Sequence, residues 1–149
     1  MIRRFGTPPA ADRRYKLRPG AYVVLLQGSD MLITREAPFD QTQDAEYQLP
    51  GGGIDPGESP VMALHREVLE ETGWTLAAPR RLGAFRRFCY MPDYDLWAEK
   101  LCSIYVARPA RALGPPTEPG HSAIWMPAPN AIALLANSGD QYFAHLALG

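Results

Sequence analysis

The sequence predicts a mixed α/β domain with a largely antiparallel or mixed sheet. Strand-like runs precede, surround and follow one helix. That helix is entered through a glycine-rich loop, and two further helical segments close the chain. At 149 residues a single domain is expected, long enough to bury about 68–70% of its unfolded surface.

The first 20 residues form a basic leader or an edge strand: Arg3, Arg4, Arg13, Arg14, Lys16 and Arg18 stand against Asp12 alone. No aromatic stacking pattern runs among these charges, which weighs against a nucleic-acid arm. A single domain then spans residues 21–149. Ala21–Leu26 (AYVVLL) and Met31–Thr34 (MLIT) flank Gly28-Ser29-Asp30, a hairpin signal. Arg35 and Glu36 follow at a strand end, where side chains often line a cleft, and Arg35 is a candidate phosphate ligand. Residues 37–46 are polar and loop-like, and Tyr47-Gln48-Leu49 runs extended into Pro50 and three glycines.

Ser59 is a good N-cap, Pro60 suits the first helical position, and Gly73 stops the helix. Val61, Leu64 and Val68 supply its apolar stripe. Glu67, Glu70 and Glu71, at i, i+3 and i+4, share one side of this helix. Like charges four apart cost about 0.2–0.5 kcal/mol. The helix dipole disfavours carboxylates in the last turn by about 0.3–1 kcal/mol more. Stacked unfavourable terms call for a compensating cation, and clustered carboxylates suit Mg²⁺ or Mn²⁺. Arg66 is placed on the opposite flank of the acidic arc, where it could pair with Glu58 in the loop.

Beyond the helix, Leu82–Tyr90 and Leu96–Ala107 read as strands, and Pro109–Gly120 as a long connection carrying Glu118 and leading to His121. Ala123–Met126 is a short strand; Asn130–Asn137 and Asp140–Leu148 are helical. Cys89 and Cys102 lack zinc-ligand spacing and are expected to be buried free thiols. A net charge of −1 gives no field of one sign, so nucleic acid is a poor candidate partner. No apolar run is long enough to cross a bilayer, and a cytoplasmic protein is the expectation.

Gly52, five residues, Glu58, seven residues, then Arg66-Glu67-Val68-Leu69-Glu70-Glu71-Thr72-Gly73-Trp74 resemble the Nudix box at every defining position. The resemblance implies a Nudix-like α/β/α sandwich with a mixed sheet. It implies hydrolysis of a nucleoside diphosphate linked to another moiety, with Mg²⁺ or Mn²⁺ as cofactor and a small nucleotide as substrate; homodimers are common in the family. It assigns metal binding to Glu67, Glu70 and Glu71, with Gly51 joining through its carbonyl. Glu58 and Arg66 would brace the loop, with Gly52 and Gly73 shaping the site. The general base would be a box glutamate, Glu67 or Glu70, or else Glu118 in the loop before the last strand; Glu99 is a weaker candidate, and His121 a rim residue. Members that cleave diadenosine polyphosphates carry a Tyr shortly past the box, where Tyr90 stands; those acting on ADP-ribose carry a Pro where this chain has Cys89. The alternatives are a nucleotide-sensing module without turnover, which an intact box disfavours, and a nucleic-acid binder using residues 1–18.

Overall fold

The computed structural model describes residues 2–37 and 45–149. Strand β2 (Lys16–Gln27) is its axis. The run Ala21–Leu25 is fully buried, because successive side chains point to opposite faces and both faces are covered. Tyr22 and Val24 enter one core with Met31, Ile33, Phe85, Ile104 and Phe143. Ala21, Val23 and Leu25 enter the other with Leu32, Leu64, Val68 and Tyr105.

Eight strands form one mixed sheet. β1 (Arg3–Arg4) pairs in parallel with β6 (Trp74–Met91), which pairs antiparallel with β7 (Leu96–Ala112). β7 runs parallel to β2, from Lys16↔Ala98 to Leu25↔Ala107. On the other edge of β2 lie two partners. β5 (Gly51–Gly53) takes Gly20–Tyr22, and β3 (Asp30–Glu36) takes Leu25–Gln27. β4 (Glu46–Gln48) and β8 (His121–Pro127) both pair antiparallel with β3. Helix α1 (Pro60–Thr72) covers one face through Leu64 and Val68. α2 (Ala128–Leu134) and α3 (Ser138–Leu148) cover the other through Ala131, Ile132, Phe143 and Ala144. These are the three layers of an α/β/α sandwich.

Three local readings change. β2 begins at Lys16 rather than Ala21, because the polar residues before the apolar run hydrogen-bond to β7. β7 likewise continues to Ala112 through Pro109, which sits opposite Leu76 beside a bulge. Val61 is exposed, and Ala63 joins Leu64 and Val68 in the buried stripe instead. Cys102 is buried and Cys89 half-buried; both are free thiols.

Candidate active site

Helix α1 is fixed at both ends. Ser59 Oγ accepts from Met62 N–H at 3.1 Å, and Pro60 opens the first turn. Gly73 closes it at φ 78°, its N–H donating to Leu69 O at 2.9 Å. A side chain at Gly73 would be strained by that φ and would collide with the Gly114 carbonyl. The close approach lets Leu113 N–H donate to Gly73 O at 2.8 Å, anchoring the long connection to the helix end. Thr117 and Glu118 N–H then both donate to Glu70 O, at 2.8 and 3.0 Å. This brings Glu118 to the acidic helix from 48 residues downstream of Glu70 in the sequence.

Arg66 is the hub of the loop. Its Nε donates to Glu58 Oε2 at 2.7 Å and its Nη2 to Glu58 Oε1 at 2.8 Å, a two-pronged pair. Nη2 also donates to Gly53 O at 3.0 Å, and Asp55 N–H donates to Glu58 at 2.9 Å. The Arg66 hydrogen bonds hold the Glu58 carboxyl down, at about 2. The guanidinium does not point away from the acidic arc as the helical wheel suggests. Its Nη1 donates to Glu67 Oε1 at 2.9 Å and lies 3.6 Å from Glu70 Oε2. A long, flexible side chain can curl around the helix, which a wheel drawn at Cα does not capture.

The glycines permit the closest approach. A Cβ at Gly52 would stand 2.5 Å from the Glu67 carboxylate. Gly51 N–H donates to Glu71 Oε1 at 3.0 Å. Glu71 is buried, and burial pushes its carboxyl well up, against the Gly51 hydrogen bond, with the charges of Glu67, Glu36 and Glu118 adding to the rise. Burial also raises Glu67, opposed by Arg66. His121 Nε2 lies 3.3 Å from Glu71 Oε2 and 4.0 Å from Glu36 Oε2.

The structure therefore gathers Gly51, Gly52, Glu58, Arg66, Glu67, Glu70, Glu71 and Glu118 in one place. It adds Glu36, expected only at a strand end, and the mostly buried His121, expected on the rim. The signal for Glu36 was present: it follows the β3 apolar run directly, and register sets it opposite His121. Arg35, its exposed neighbour, points to the other side of β3 by strand alternation. Tyr90 is at the far end of β6. Its hydroxyl bonds to Asp95 and its ring packs on Trp97, both within the β6–β7 hairpin. Glu99 pairs with Arg86 at 3.4 Å.

Hard oxygen donors gathered around backbone glycines, with burial resisting their ionisation, are the chemistry that a divalent cation satisfies. Among the described residues no three such side chains already converge as a preformed ligand set. Arg66 Nη1 instead reaches two of the carboxylates, Glu67 and Glu70. As hard oxygen donors these carboxylates suit Mg²⁺ or Mn²⁺ in kind, and in this structure Gly51 N–H and His121 face Glu71.

The NUDIX domain model matches residues 16–146. The chain belongs to the Nudix family. A Bacillus subtilis protein with the provisional name 8-oxo-dGTP diphosphatase is 37% identical over 81 residues, 52% of this chain and 50% of that protein. A Streptomyces rubellomurinus CMP-5′-(N-acetyl-N-hydroxy-3-aminopropyl)phosphonate hydrolase is 31% identical over 93% of this chain and 65% of its own length. A Helicobacter pylori RNA pyrophosphohydrolase is 43% identical over 60 residues, 39% of this chain and 38% of the relative. The matches thus span less than two thirds of these Nudix relatives' lengths. A NUDIX hydrolase structure from Nitrosomonas europaea shares the fold at a TM-score of 0.70, with 21% identity over 89% of this chain and 90% of that one. No helix among the described residues is long and apolar enough to cross a membrane.

Proposed function

We propose that this Nudix protein is a Mg²⁺- or Mn²⁺-dependent pyrophosphohydrolase. It cleaves the diphosphate linkage of a nucleoside diphosphate derivative: a nucleoside triphosphate, a dinucleoside polyphosphate or a nucleotide sugar. The observation that carries this reading is the meeting of two box carboxylates with the glycine strand: Gly51 N–H donates to Glu71 Oε1 at 3.0 Å, and Gly52 leaves room only for the Glu67 carboxylate. Such a cluster has little use in a plain structural helix.

Glu67, Glu70 and Glu71 are the ligands in this reading. A cation held by these residues would supply neutralisation of the diphosphate charge and activation of the attacking water. The protein supplies the rest. Gly51 and Gly52, without side chains, let phosphate oxygens approach the backbone. The Arg66–Glu58 pair fixes the loop so that the carboxylates are preorganised. A carboxylate, Glu118 or a box glutamate, takes the proton as water attacks phosphorus in line. His121, against Glu71, restrains that carboxylate from the β8 side.

A screen of nucleoside diphosphate derivatives with Mg²⁺ or Mn²⁺, scoring released monophosphate and phosphate, tests the proposal. Metal-dependent release from at least one class is expected. No hydrolysis of any class with either metal would favour a nucleotide-sensing module instead.

A further inference from the structure

Strand register places three cations side by side on one face of the sheet. Arg87 on β6 stands directly opposite Lys100 on β7, and Lys100 is the parallel partner of Arg18 on β2. All three are half-buried. Each stands an even number of residues along its strand from Phe85, Cys102 or Tyr22, which belong to the core under α2 and α3, so all three share the face opposite helix α1. Like charges directly across strands repel, and partial burial sharpens the effect.

The other cations nearby are matched. Arg86, on the reverse face, pairs with Glu99, and Arg13 lies 3.6 Å above the Trp97 ring. Among the described residues no carboxylate oxygen comes within 4.0 Å of Arg18, Lys100 or Arg87. What faces them at close range carries no formal charge: two aromatic rings, the Tyr22 hydroxyl beside Lys100 and the Cys89 thiol beside Arg87. Lys100 Nζ lies 5.6 Å from the Tyr22 ring, whose hydroxyl burial pushes up to about 12, so it stays neutral. Arg18 lies 4.6 Å from the Tyr94 ring. Buried Asp140 acts on Arg87 and Lys100 only through its field, and its carboxylate accepts from Leu49 N–H at 3.4 Å.

The row begins beside the glycine strand. Gly20, two residues from Arg18, is the partner of Gly53, and Ile54 N–H donates to Pro19 O at 3.0 Å. Adjacent strands are about 4.8 Å apart, so the row extends roughly 10 Å from β2 to β6. We propose that Arg18, Lys100 and Arg87 form a subsite for a second phosphate of the substrate, one carried in addition to the diphosphate that is cut. This rests on the hydrolase reading above. Guanidinium forks and an ammonium suit phosphate oxygens. A 3′-phosphate on a small nucleotide and the first internucleotide phosphate of a strand present the same chemistry.

Calorimetric titration with AMP, adenosine 3′,5′-bisphosphate and the 5′-phosphorylated dinucleotide pApA tests it, in the presence of Mg²⁺. None of these contains an anhydride, so binding is read without turnover. At least one of the latter two should bind about 10-fold more tightly than AMP. Arg87→Gln and Lys100→Gln should remove that advantage while AMP binding changes less than about twofold; Lys100→Arg should restore it. Arg18→Gln, at the end of β2, gives a third variant should the others fold poorly. A gain with the bisphosphate identifies a small nucleotide, and a gain with pApA alone identifies a strand. Three affinities within about threefold of each other, undetectable binding throughout, or an advantage kept in the variants overturns the subsite. Diphosphate hydrolysis measured on the same wild-type sample separates the failures: hydrolysis without the gain removes only the subsite, and no hydrolysis removes the reading beneath it.

Discussion

Gly52→Ala separates the site's chemistry from the fold's stability. The new Cβ would stand 2.5 Å from Glu67 Cδ and Oε2 and 3.0 Å from Oε1. Ordinary contact needs about 3.4 Å, so the carboxylate must withdraw by roughly 1 Å. Gly52 is not among the positive-φ glycines, so alanine carries no backbone penalty there. The atom displaced is the end of a flexible side chain, and Tm should fall by no more than about 4 °C. Catalytic geometry is far less forgiving: a displacement of about 1 Å costs on the order of 100-fold in rate. That corresponds to about 2.7 kcal/mol in the barrier. The assay is kcat/KM with saturating Mg²⁺ on the substrate found by the screen, beside a calorimetric melt. A kcat/KM within about twofold of wild type, with the melt unchanged, would refute the placement of Glu67 at the reacting centre.

Other outcomes follow from the same geometry. Glu70→Gln should lower turnover by about three orders of magnitude or more while circular dichroism stays native, because a neutral amide is a poor cation ligand; wild-type activity would remove its metal role. Glu58→Gln breaks the charged pair with Arg66. Glu58 is held at about 2 against an ordinary 4.5, so its stabilisation is complete above pH 4.5 and is lost as pH falls toward 2. The melting difference between wild type and the variant should therefore close over that window, and a gap that stays constant down to pH 2 would contradict the pairing. Phe85→Ala empties a fully buried site between Phe5 and Phe143 and should cost about 3–5 kcal/mol in denaturant unfolding. A loss below about 1 kcal/mol would show that the two aromatic neighbours collapse into the space.

Much of the site was legible because the box is local. Ser59, Pro60 and Gly73 mark a helix whose caps are set by neighbouring residues, and the spacing of Glu67, Glu70 and Glu71 follows from helical geometry alone. The hairpin strands β2 and β3 were legible for a similar reason: alternation and a glycine turn act over a few residues. What a local reading leaves open lies where side-chain reach or distant pairing decides. Arg66 curls back to Glu67 and Glu70, which no wheel shows. Tyr90 matches a pattern of spacing, yet its hydroxyl is taken by Asp95 in its own hairpin. The strand at Lys16–Gly20 is written in no apolar periodicity; it exists because β7 lies alongside.

By itself, then, the sequence determined the family, the carboxylate arc and the brace between Glu58 and Arg66, since each depends on contacts within about one loop and one helix. Tertiary structure decided what joins them. The backbone of the long connection, tied to Glu70 O, delivers Glu118; β3 and β8, in register, deliver Glu36 and His121; three strands align Arg18, Lys100 and Arg87. Strand pairing between segments as distant in sequence as Asp30 and Pro127 sets those neighbours, and register is a property of the assembled sheet that no local window contains.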